Sequence, residues 1–231
     1  MECILIPELD MDNSQFRVPE NEMKHLKALH INSGDELLAT NGKGLSSAGK
    51  INFEKNKISF FYPVQFYEKQ GELNFPLALA LGILDNKDRF EFALEKAVEL
   101  GITEFYPLLT KYSQRKNLNP DRLNSKAIAA MTQCKRSCLP VIHQPAQIKV
   151  LISTLSQYKR IILADVNGKI ATKSGINKPT IVFIGPEGGF SDEEISIIKS
   201  DKKCETLNLG NRRLRAETAA MLIVGLVSQG Y

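Results

Sequence analysis

From residue 75 onward, short continuous runs of hydrophobic residues alternate with segments in which hydrophobic positions recur every three or four residues. Continuous runs of this length are typical of strands buried on both faces, whereas the 3.6-residue spacing predicts amphipathic helices. Strands and helices in alternation favour an α/β fold, in which an open, mostly parallel sheet carries helices on both faces. The predicted strands are 77–83, 102–109, 160–165, 180–184 and 205–209, and the predicted helices are 88–101, 120–138, 146–158, one that starts after 191, and 216–227.

The first 72 residues have a different pattern, with shorter strand-like segments at 2–6, 36–40, 47–53 and 57–64 and helical spacing at 21–30. Asn41 and Gly42 lie between two of these segments, and such a pair supplies the positive φ angles that a tight hairpin needs. The pattern predicts a small β-barrel. Because the polar segment 69–72 resembles a linker, we divide the chain into a barrel domain at 1–72 and a larger α/β domain at 73–231.

Polar residues and glycines predict where two of the helices begin and end. Asp88, with Glu91 three residues later, is an acidic variant of the capping box, and Gly101 is well placed to stop the helix that starts there. Ser191 and Glu194 form a capping box of the usual composition. Each of these helices is therefore expected to start soon after a buried strand.

Composition predicts a soluble globular protein. Hydrophobic residues make up 43% of the chain, and no apolar run approaches the ~20 residues of a membrane span. Residues 1–7 are too short and too weakly basic for a secretory signal, so we expect a cytoplasmic protein with no membrane partner. The cysteines Cys3, Cys134, Cys138 and Cys204 lack a repeated Cys-x-x-Cys pattern, and we interpret Cys134 and Cys138 as residues on one face of a helix rather than as metal ligands.

Charge is distributed unevenly along the chain. Residues 1–75 contain 8 Lys and Arg against 11 Asp and Glu, whereas the rest of the chain carries a net charge of +7. The segment 111–136 holds seven basic residues and one acidic residue, a concentration that could follow a phosphate backbone. A solvated helix face would have the same composition, so charge alone leaves both interpretations open.

Two strand-to-helix corners near the C-terminus are the strongest candidates for a ligand site. The first follows the hydrophobic run 181–184 and reads Gly-Pro-Glu-Gly-Gly-Phe-Ser at 185–191, where glycines permit close approach of the backbone to a ligand. It lacks the Lys-Ser/Thr ending of a P-loop and the Gly-x-Gly-x-x-Gly of dinucleotide folds, which disfavours polyphosphate cofactors. A purely structural turn is the alternative.

The second corner follows the strand that ends at Gly210. Several arginines crowd the turn, and the apolar helix after it places Arg215, Glu217 and Thr218 at the mouth of a buried element. Polar side chains held in such a place need partners, and a ligand is one candidate. Alternatively, Arg215 pairs with Glu217 or Glu187 and only locks the corner.

The paired motifs resemble those of the RsmE family of methyltransferases, which act on N3 of one uridine in small-subunit ribosomal RNA. The resemblance rests on Gly-Pro-Glu-Gly-Gly-Phe-Ser at 185–191 and on Leu-Gly-x-Arg-x-Leu-Arg-x-Glu-Thr-Ala at 209–219. The segments 95–102 and 131–136 are similar to two further motifs of the family, and Lys24-His25-Leu26 and 34–44 match in order. The similarity covers nearly the whole chain.

This resemblance implies a SPOUT-class domain with a deep trefoil knot, an exception to the usual avoidance of knots, preceded by a PUA-like barrel that binds RNA. It also implies a homodimer, 16S ribosomal RNA within the small ribosomal subunit as the partner, and no requirement for a metal. The implied cofactor is S-adenosyl-L-methionine. Its implied binding residues are Leu163, Ile184, Gly185, Pro186, Glu187, Gly188, Gly189, Leu207, Leu209, Gly210, Leu214 and Thr218.

The reaction that the resemblance implies asks little of side chains, because the methyl group of a sulfonium is already activated. Arg215 is the candidate that stabilises negative charge on the uracil, and Glu187 and Glu217 are candidates for a base or for orienting Arg215. The candidate RNA-binding residues are Arg115, Lys116, Arg136 and Arg212. Two alternatives stay open, a SPOUT methyltransferase with another RNA target and a non-catalytic RNA-binding module.

Overall fold

The computed structural model describes residues 1–54, 59–170 and 177–230, which form two compact units. One unit consists of Met1–Glu72 and Ile128–Leu139, and the other of Leu73–Ala127 and Pro140–Tyr231. The sequence places 128–139 in the second domain. In the structure this segment packs with the first unit instead.

The first unit is built around a five-stranded sheet with the order β1-β3-β4-β5-β2, in which β1 and β3 are parallel and the other pairs are antiparallel. Its core includes Ile4, Leu37, Ile51 and Phe61. The sequence predicts a closed barrel. The described strands form an open sheet instead, with β1 and β2 at its two edges. The elements are β1 (Cys3–Leu5), β2 (Phe16–Arg17), α1 (Glu20–Ala28), β3 (Glu36–Thr40), β4 (Leu45–Phe53) and β5 (Ser59–Glu68).

Most predicted elements of this unit are confirmed, with shifted ends. The predicted strand 57–64 starts at Ser59 in the structure and continues to Glu68, and residues 57 and 58 lie outside the described part of the chain. The short strand β2 was not predicted, because two residues are too few to produce a recognisable alternation. Its Phe16 is nevertheless buried in the core of the unit.

A buried ion pair holds 128–139 within the first unit. The Arg136 side chain is 3% exposed, and its Nη2 donates to Glu72 Oε2 at 2.6 Å. Glu72 Oε1 also accepts from the backbone N–H groups of Ser137 at 3.0 Å and Cys138 at 2.8 Å. Because burying two charges is costly unless they are paired and hydrogen-bonded, these contacts fix the segment closely.

The second unit contains a seven-stranded sheet in which every described pair of strands is parallel. The order is β12-β10-β11-β6-β7-β8, and β9 also pairs with β7. The α/β class with a parallel sheet is thereby confirmed. The strands are β6 (Leu77–Gly82), β7 (Glu104–Leu109), β8 (Val141–Ile142), β9 (Ala146–Gln147), β10 (Arg160–Ile170), β11 (Thr180–Ile184) and β12 (Cys204–Asn208).

Helices cover both faces of this sheet, as the hydrophobic runs predict. Every residue of β6 and β11 is buried. On one face, the core contains Phe183 together with Leu151 of α4 and Ile198 of α5, whereas α6 packs on β6, β11 and α2. The helices are α2 (Lys87–Glu99), α3 (Pro120–Gln133), α4 (Ile148–Ile152), α5 (Asp192–Lys199) and α6 (Ala216–Ser228).

Three helix predictions need correction. Helix α2 is capped by Asn86, whose side chain accepts from the Arg89 N–H, so the predicted cap at Asp88 is wrong. Helix α3 stops before Lys135, which has a φ of 59°, and Cys138 is therefore not a helix residue. The predicted helix 146–158 shrinks to α4, because its first two residues pair with β7 as a strand.

Strand β10 runs five residues past its predicted end. Its first half pairs with both neighbours, the register with β12 shifts between Ala164 and Lys169, and pairing with β12 then resumes. Gly168 allows β10 to come back against β12. A Cβ at this position would lie 2.7 Å from the backbone of Thr206, which is too close for any other residue.

Among the described residues, no helix has both the length and the apolar character needed to cross a membrane.

The buried ion pair of the first unit generates a stability prediction. Replacing Glu72 with Ala leaves the buried Arg136 guanidinium without its carboxylate, so we expect the free energy of unfolding to fall by about 3–5 kcal/mol. Urea titration followed by circular dichroism measures this change. The control is Glu99→Ala, which removes a half-exposed ion pair with Lys96 and should cost less than about 1 kcal/mol. Equal costs for the two variants would contradict the role of Glu72.

Candidate functional site

Both predicted corners open into one cavity of about 710 Å³ in the second unit. Strands β12, β10 and β11 are neighbours and parallel, so their carboxyl ends meet at the same edge of the sheet. In open α/β sheets this edge is the usual place for a ligand. The cavity is lined by 163–166 of β10, by 184–190 from the last residue of β11 onward, and by 208–210 and 212–216 from the last residue of β12 onward.

Hydrogen bonds hold the first corner in a fixed shape. Gly189 has a φ of 75°, and its N–H donates to the Pro186 carbonyl at 2.9 Å. Helix α5 then begins with the predicted capping box, in which the Ser191 N–H donates to Glu194 Oε2 at 2.8 Å and the Glu194 N–H donates to Ser191 Oγ at 3.4 Å. The other carboxylate oxygen of Glu194 accepts from the Lys111 N–H at 2.8 Å, which ties the loop after β7 to this helix.

The second corner is tied to the extended part of β10. Asn208 Nδ2 donates to the Val166 carbonyl at 2.6 Å, and Asn208 Oδ1 accepts from the Gly210 N–H at 2.8 Å. Gly210 has a φ of 110°, which only glycine adopts readily. Arg215 is the N-cap residue of α6 with extended backbone angles, and its side chain is exposed.

The structure brings most of the predicted cofactor residues together. Leu207 and Thr218 are partly buried and do not line the cavity, whereas Arg212 and Arg215 do. The predicted cofactor residues in the lining are Leu163, Ile184, Gly185, Pro186, Glu187, Gly188, Gly189, Leu209, Gly210 and Leu214.

Arg89 is the main residue of the site that the sequence did not reveal. Its Nε and Nη2 donate to the two carboxylate oxygens of Glu217 at 2.8 and 2.6 Å, and its Nη1 donates to Glu187 at 3.1 Å. Among the described residues Arg89, rather than Arg215, makes the ion pairs with Glu217 and Glu187, so these contacts do not support the alternative in which Arg215 locks the corner. A signal existed in the sequence, since a cation in the first turn of a helix opposes the macrodipole unless it has a specific partner.

The carboxylate of Glu217 is part of this pairing rather than of the cavity wall. Its side chain is 9% exposed. Burial is the largest effect and raises the pKa, but the Arg89 hydrogen bonds, a backbone hydrogen bond and the positive charges of Arg89 and Arg215 together hold the pKa of the Glu217 carboxyl below its usual value. A buried carboxylate whose two oxygens both accept from one guanidinium is a poor general base, so Glu217 is better placed to hold Arg89 than to take a proton.

A second cavity of about 610 Å³ lies beside the first, also within the second unit. It is lined by residues that follow β6, β7 and β11, the next three neighbours along the same edge of the sheet. Arg89, Glu187 and Gly188 line both cavities and therefore form a shared wall. The remaining lining residues are Asp85, Asn86, Lys111, Tyr112, Ser113 and Gln114.

The basic segment 111–136 is divided by the structure into paired and unpaired cations. Arg122 Nε contacts Glu91 at 2.6 Å, and Lys126 contacts Glu95 at 2.5 Å, so these two charges are neutralised by α2. Lys116 is exposed and forms no ion pair with any described residue. Arg115 is half-buried, and its Nη1 is buried without a hydrogen bond to any described residue.

Arg136 does not fit the RNA-binding role that the sequence suggested. Its guanidinium is buried and bonded to Glu72, so a phosphate could reach it only by breaking that pair. Arg212 is exposed at the first cavity. Within the described ranges, no three His, Cys, Asp or Glu side chains lie close enough together to hold a metal ion.

Comparison with known proteins places the chain among RNA methyltransferases. Residues 71–228 match the RNA methyltransferase domain family. The chain is 30% identical over 225 residues to the Ribosomal RNA small subunit methyltransferase E of Rickettsia conorii, and the alignment covers 94% of this chain and 90% of that protein.

Solved structures share the fold over nearly the whole length. The Ribosomal RNA small subunit methyltransferase E of Neisseria gonorrhoeae, bound to S-adenosyl methionine, matches with a TM-score of 0.88 at 21% identity, covering 99% of this chain and 97% of that one. A Legionella pneumophila protein in complex with the bound cofactor SAM matches with a TM-score of 0.83 at 26% identity, covering 98% and 96%. Since the domain match spans most of the chain and the Rickettsia relative aligns almost end to end, this chain belongs to the Ribosomal RNA small subunit methyltransferase E family.

Proposed function

We propose that this protein transfers a methyl group from S-adenosyl-L-methionine to ribosomal RNA of the small subunit. One observation carries the proposal, namely that both glycine corners line a single cavity at the carboxyl edge of a parallel sheet. The Rickettsia relative is named for this activity, and the Neisseria and Legionella structures hold the cofactor.

The residues of the first cavity fit S-adenosyl-L-methionine. A volume of about 710 Å³ suits a ligand of that size. Apart from the chain neighbours, no heavy atom of a described residue lies within 4 Å of a Cβ built on Gly189 or Gly210, so any side chain at these two positions would fill space beside the corners. Leu163, Leu209 and Leu214 would pack against the apolar faces of the adenine, and the neighbouring backbone groups would bind its polar edge.

We further propose that the acceptor atom is N3 of a uridine in 16S ribosomal RNA. The cofactor supplies, when bound, a methyl group that its sulfonium makes electrophilic. Arg215 would stabilise negative charge on the uracil carbonyls as N3 loses its proton, because a guanidinium beside a carbonyl oxygen favours the imidate. Glu187 is the candidate to receive that proton, since its carboxylate is 38% exposed and lies in the wall of the cavity.

The finer architecture is proposed from the family resemblance. We propose that the C-terminal unit is a SPOUT methyltransferase domain with a trefoil knot and that the N-terminal unit is a PUA-like RNA-binding domain, with the division at 72 and 73. We also propose a cytoplasmic homodimer. These proposals rest on the membership of the chain in the family, to which the domain match and the Rickettsia relative assign it.

We assign the RNA contacts to basic residues that form no ion pair with a described residue. Lys116 is exposed on the loop after β7, and the buried Nη1 of Arg115 would gain a hydrogen-bond acceptor from a phosphate. Arg212 lies at the rim of the first cavity, where the target strand must approach. These three residues are therefore the proposed phosphate contacts.

Cofactor binding is tested through the first corner. A Val side chain at Gly185 would place its Cβ 3.0 Å from the Gly189 backbone and displace the corner, so we expect Gly185→Val to weaken S-adenosylmethionine binding by about tenfold or more in calorimetry. The control is Gly225→Ala in α6, whose added Cβ would make ordinary contacts of 3.8 Å and should leave binding unchanged. A wild-type protein that gives no heat with S-adenosylmethionine would favour the non-catalytic RNA-binding module.

The role of Arg215 is tested by kinetics. Arg215→Ala should lower kcat for methylation of small ribosomal subunits by about 100-fold or more, because a charge-stabilising donor in the transition state is lost. The matched control is Arg213→Ala, which removes an exposed guanidinium from the same lining and should change kcat only a few-fold. Full turnover in Arg215→Ala with normal RNA affinity would rule the role out. Mass mapping of the product nucleoside tests the N3 assignment.

Phosphate contacts are tested through the salt dependence of RNA binding. Replacing Arg115 and Lys116 with Glu should weaken the salt dependence of RNA binding. The magnitude of the slope of log affinity against log salt concentration should fall by about 0.7–0.9 for each lost contact. Lys202 is exposed in the same unit but far along the chain from the loop, so Lys202→Glu serves as the control for net charge. An unchanged slope in the Arg115 and Lys116 variants would remove both residues from the interface.

A further inference from the structure

The second cavity has a chemical character different from the first. Glycine corners and leucines line much of the first cavity, whereas the second presents an aromatic ring, side-chain amides, a hydroxyl and a lysine. The two cavities lie side by side along the carboxyl edge of the sheet and share Arg89, Glu187 and Gly188. A group held in the second cavity would therefore lie next to a group held in the first.

We propose that the second cavity is the acceptor subsite, in which an unpaired pyrimidine nucleotide of the RNA stacks its base on Tyr112. This inference rests on the proposed function, because it assigns to the RNA the cavity beside the methyl donor. Transfer of a methyl group requires both reactants to meet in a near-attack geometry, and two adjoining cavities that share three lining residues place their occupants side by side.

Tyr112 is held as a stacking platform. Its backbone lies in a tight turn, in which Ser113 N–H donates to the Thr110 carbonyl at 3.2 Å and the hydroxyls of Thr110 and Ser113 lie 2.9 Å apart. The base of the side chain rests against Gly188, where an added Cβ would lie 2.8 Å from Tyr112 Cβ. The side chain is nonetheless 46% exposed. A ring that is fixed at its base and open to solvent suits stacking with an unpaired base.

Charge around the ring favours a nucleotide over a neutral ligand. Lys111 Nζ lies 5.6 Å from the centre of the Tyr112 ring, close enough to reach the phosphate of a stacked nucleotide. No acidic residue occurs at 105–120, and Lys111, Arg115 and Lys116 all lie in that stretch. A phosphate entering from this side would therefore meet three cations.

The shared wall offers hydrogen-bonding groups that complement the edge of a uracil. That edge presents an N–H donor between two carbonyl acceptors. Glu187 supplies an acceptor, and Arg89 has five N–H groups, of which three are used by Glu187 and Glu217. The amide of Gln114 and the Nδ2 of Asn86, whose Oδ1 caps α2, supply further donors. Asp85 places a second carboxylate in the lining, which would repel a phosphate that entered too deeply.

The experiment compares three variants of the full chain. Tyr112→Ala should lower kcat/KM for a small-subunit RNA by about 5- to 150-fold through loss of one stacked base, with S-adenosylmethionine affinity unchanged. Tyr112→Phe keeps the ring and should retain nearly all activity. The matched control is Phe92→Ala, since Phe92 is 41% exposed and carries Lys96 at the same 5.6 Å, but lines neither cavity.

A crosslinking readout separates this inference from the proposed function. An RNA with 5-bromouridine at the methylated position, irradiated with the wild-type protein, should yield a crosslinked peptide that contains Tyr112. If the wild type methylates RNA but Tyr112→Ala keeps wild-type kcat/KM or the crosslink maps elsewhere, the subsite is wrong and the proposed function stands. If no methyl is transferred yet the crosslink forms at Tyr112, the subsite stands without the reaction. Absence of both methyl transfer and crosslink would overturn both.

Discussion

The site depends on one guanidinium. Arg89 donates to both oxygens of the buried Glu217 on α6 and to Glu187 in the corner after β11, while its own backbone N–H is bonded to the Asn86 side chain at the start of α2. Three segments that are distant in sequence are thereby fixed to each other at the carboxyl edge of the sheet. The two carboxylates in turn hold Arg89, and the hydrogen bonds that Arg89 donates to Glu217 raise the pKa of the guanidinium further, so it stays charged under all ordinary conditions. Neither the first corner nor the start of α6 could shift without leaving one of these charges unpaired.

The contacts of Arg89 explain why three charged residues at the two corners, Glu217, Glu187 and Arg215, differ in the roles they can take. Glu217 is buried and engaged at both oxygens, so it acts as an anchor. Glu187 accepts from Arg89 at one oxygen and from the Asp85 N–H at 3.4 Å at the other, but its side chain is 38% exposed and lines both cavities, which leaves it able to contact a ligand. Arg215 makes no ion pair among the described residues and lines the first cavity, so its charge is available to a reacting group. Pairing, burial and position thus separate residues that look equivalent in the sequence.

Local features of the sequence predicted local structure well, and contacts between distant residues escaped them. The capping box of Ser191 and Glu194 spans three residues, and both motif corners end strands recognisable by their hydrophobic runs, so all were predictable. The ion pair of Arg89 and Glu217 joins residues 128 positions apart, and that of Arg136 and Glu72 joins residues 64 positions apart. Because the partner of Arg136 is so distant in the sequence, composition alone suggested that Arg136 contacts RNA. Asn86 and Asp88 can both cap a helix, and the cap in the structure is Asn86, which accepts from the Arg89 N–H. Residues 146 and 147 share helical spacing with the residues of α4, but pairing with β7 overrides it.

A parallel sheet presents the ends of all its strands at one edge, and here that edge is divided into two cavities by Arg89, Glu187 and Gly188. Gly188 keeps the dividing wall thin, because a side chain there would collide with Tyr112. A donor and an acceptor bound in the two cavities would meet beside these three residues, two of which carry opposite charges. In the proposed reaction Glu187 would receive the N3 proton, and the fixed guanidinium of Arg89 would add to Arg215 in stabilising the negative charge that develops on the uracil. The hydrogen bonds by which Arg89 holds Glu217 and Glu187 therefore also fix the positions of groups proposed to take part in the reaction.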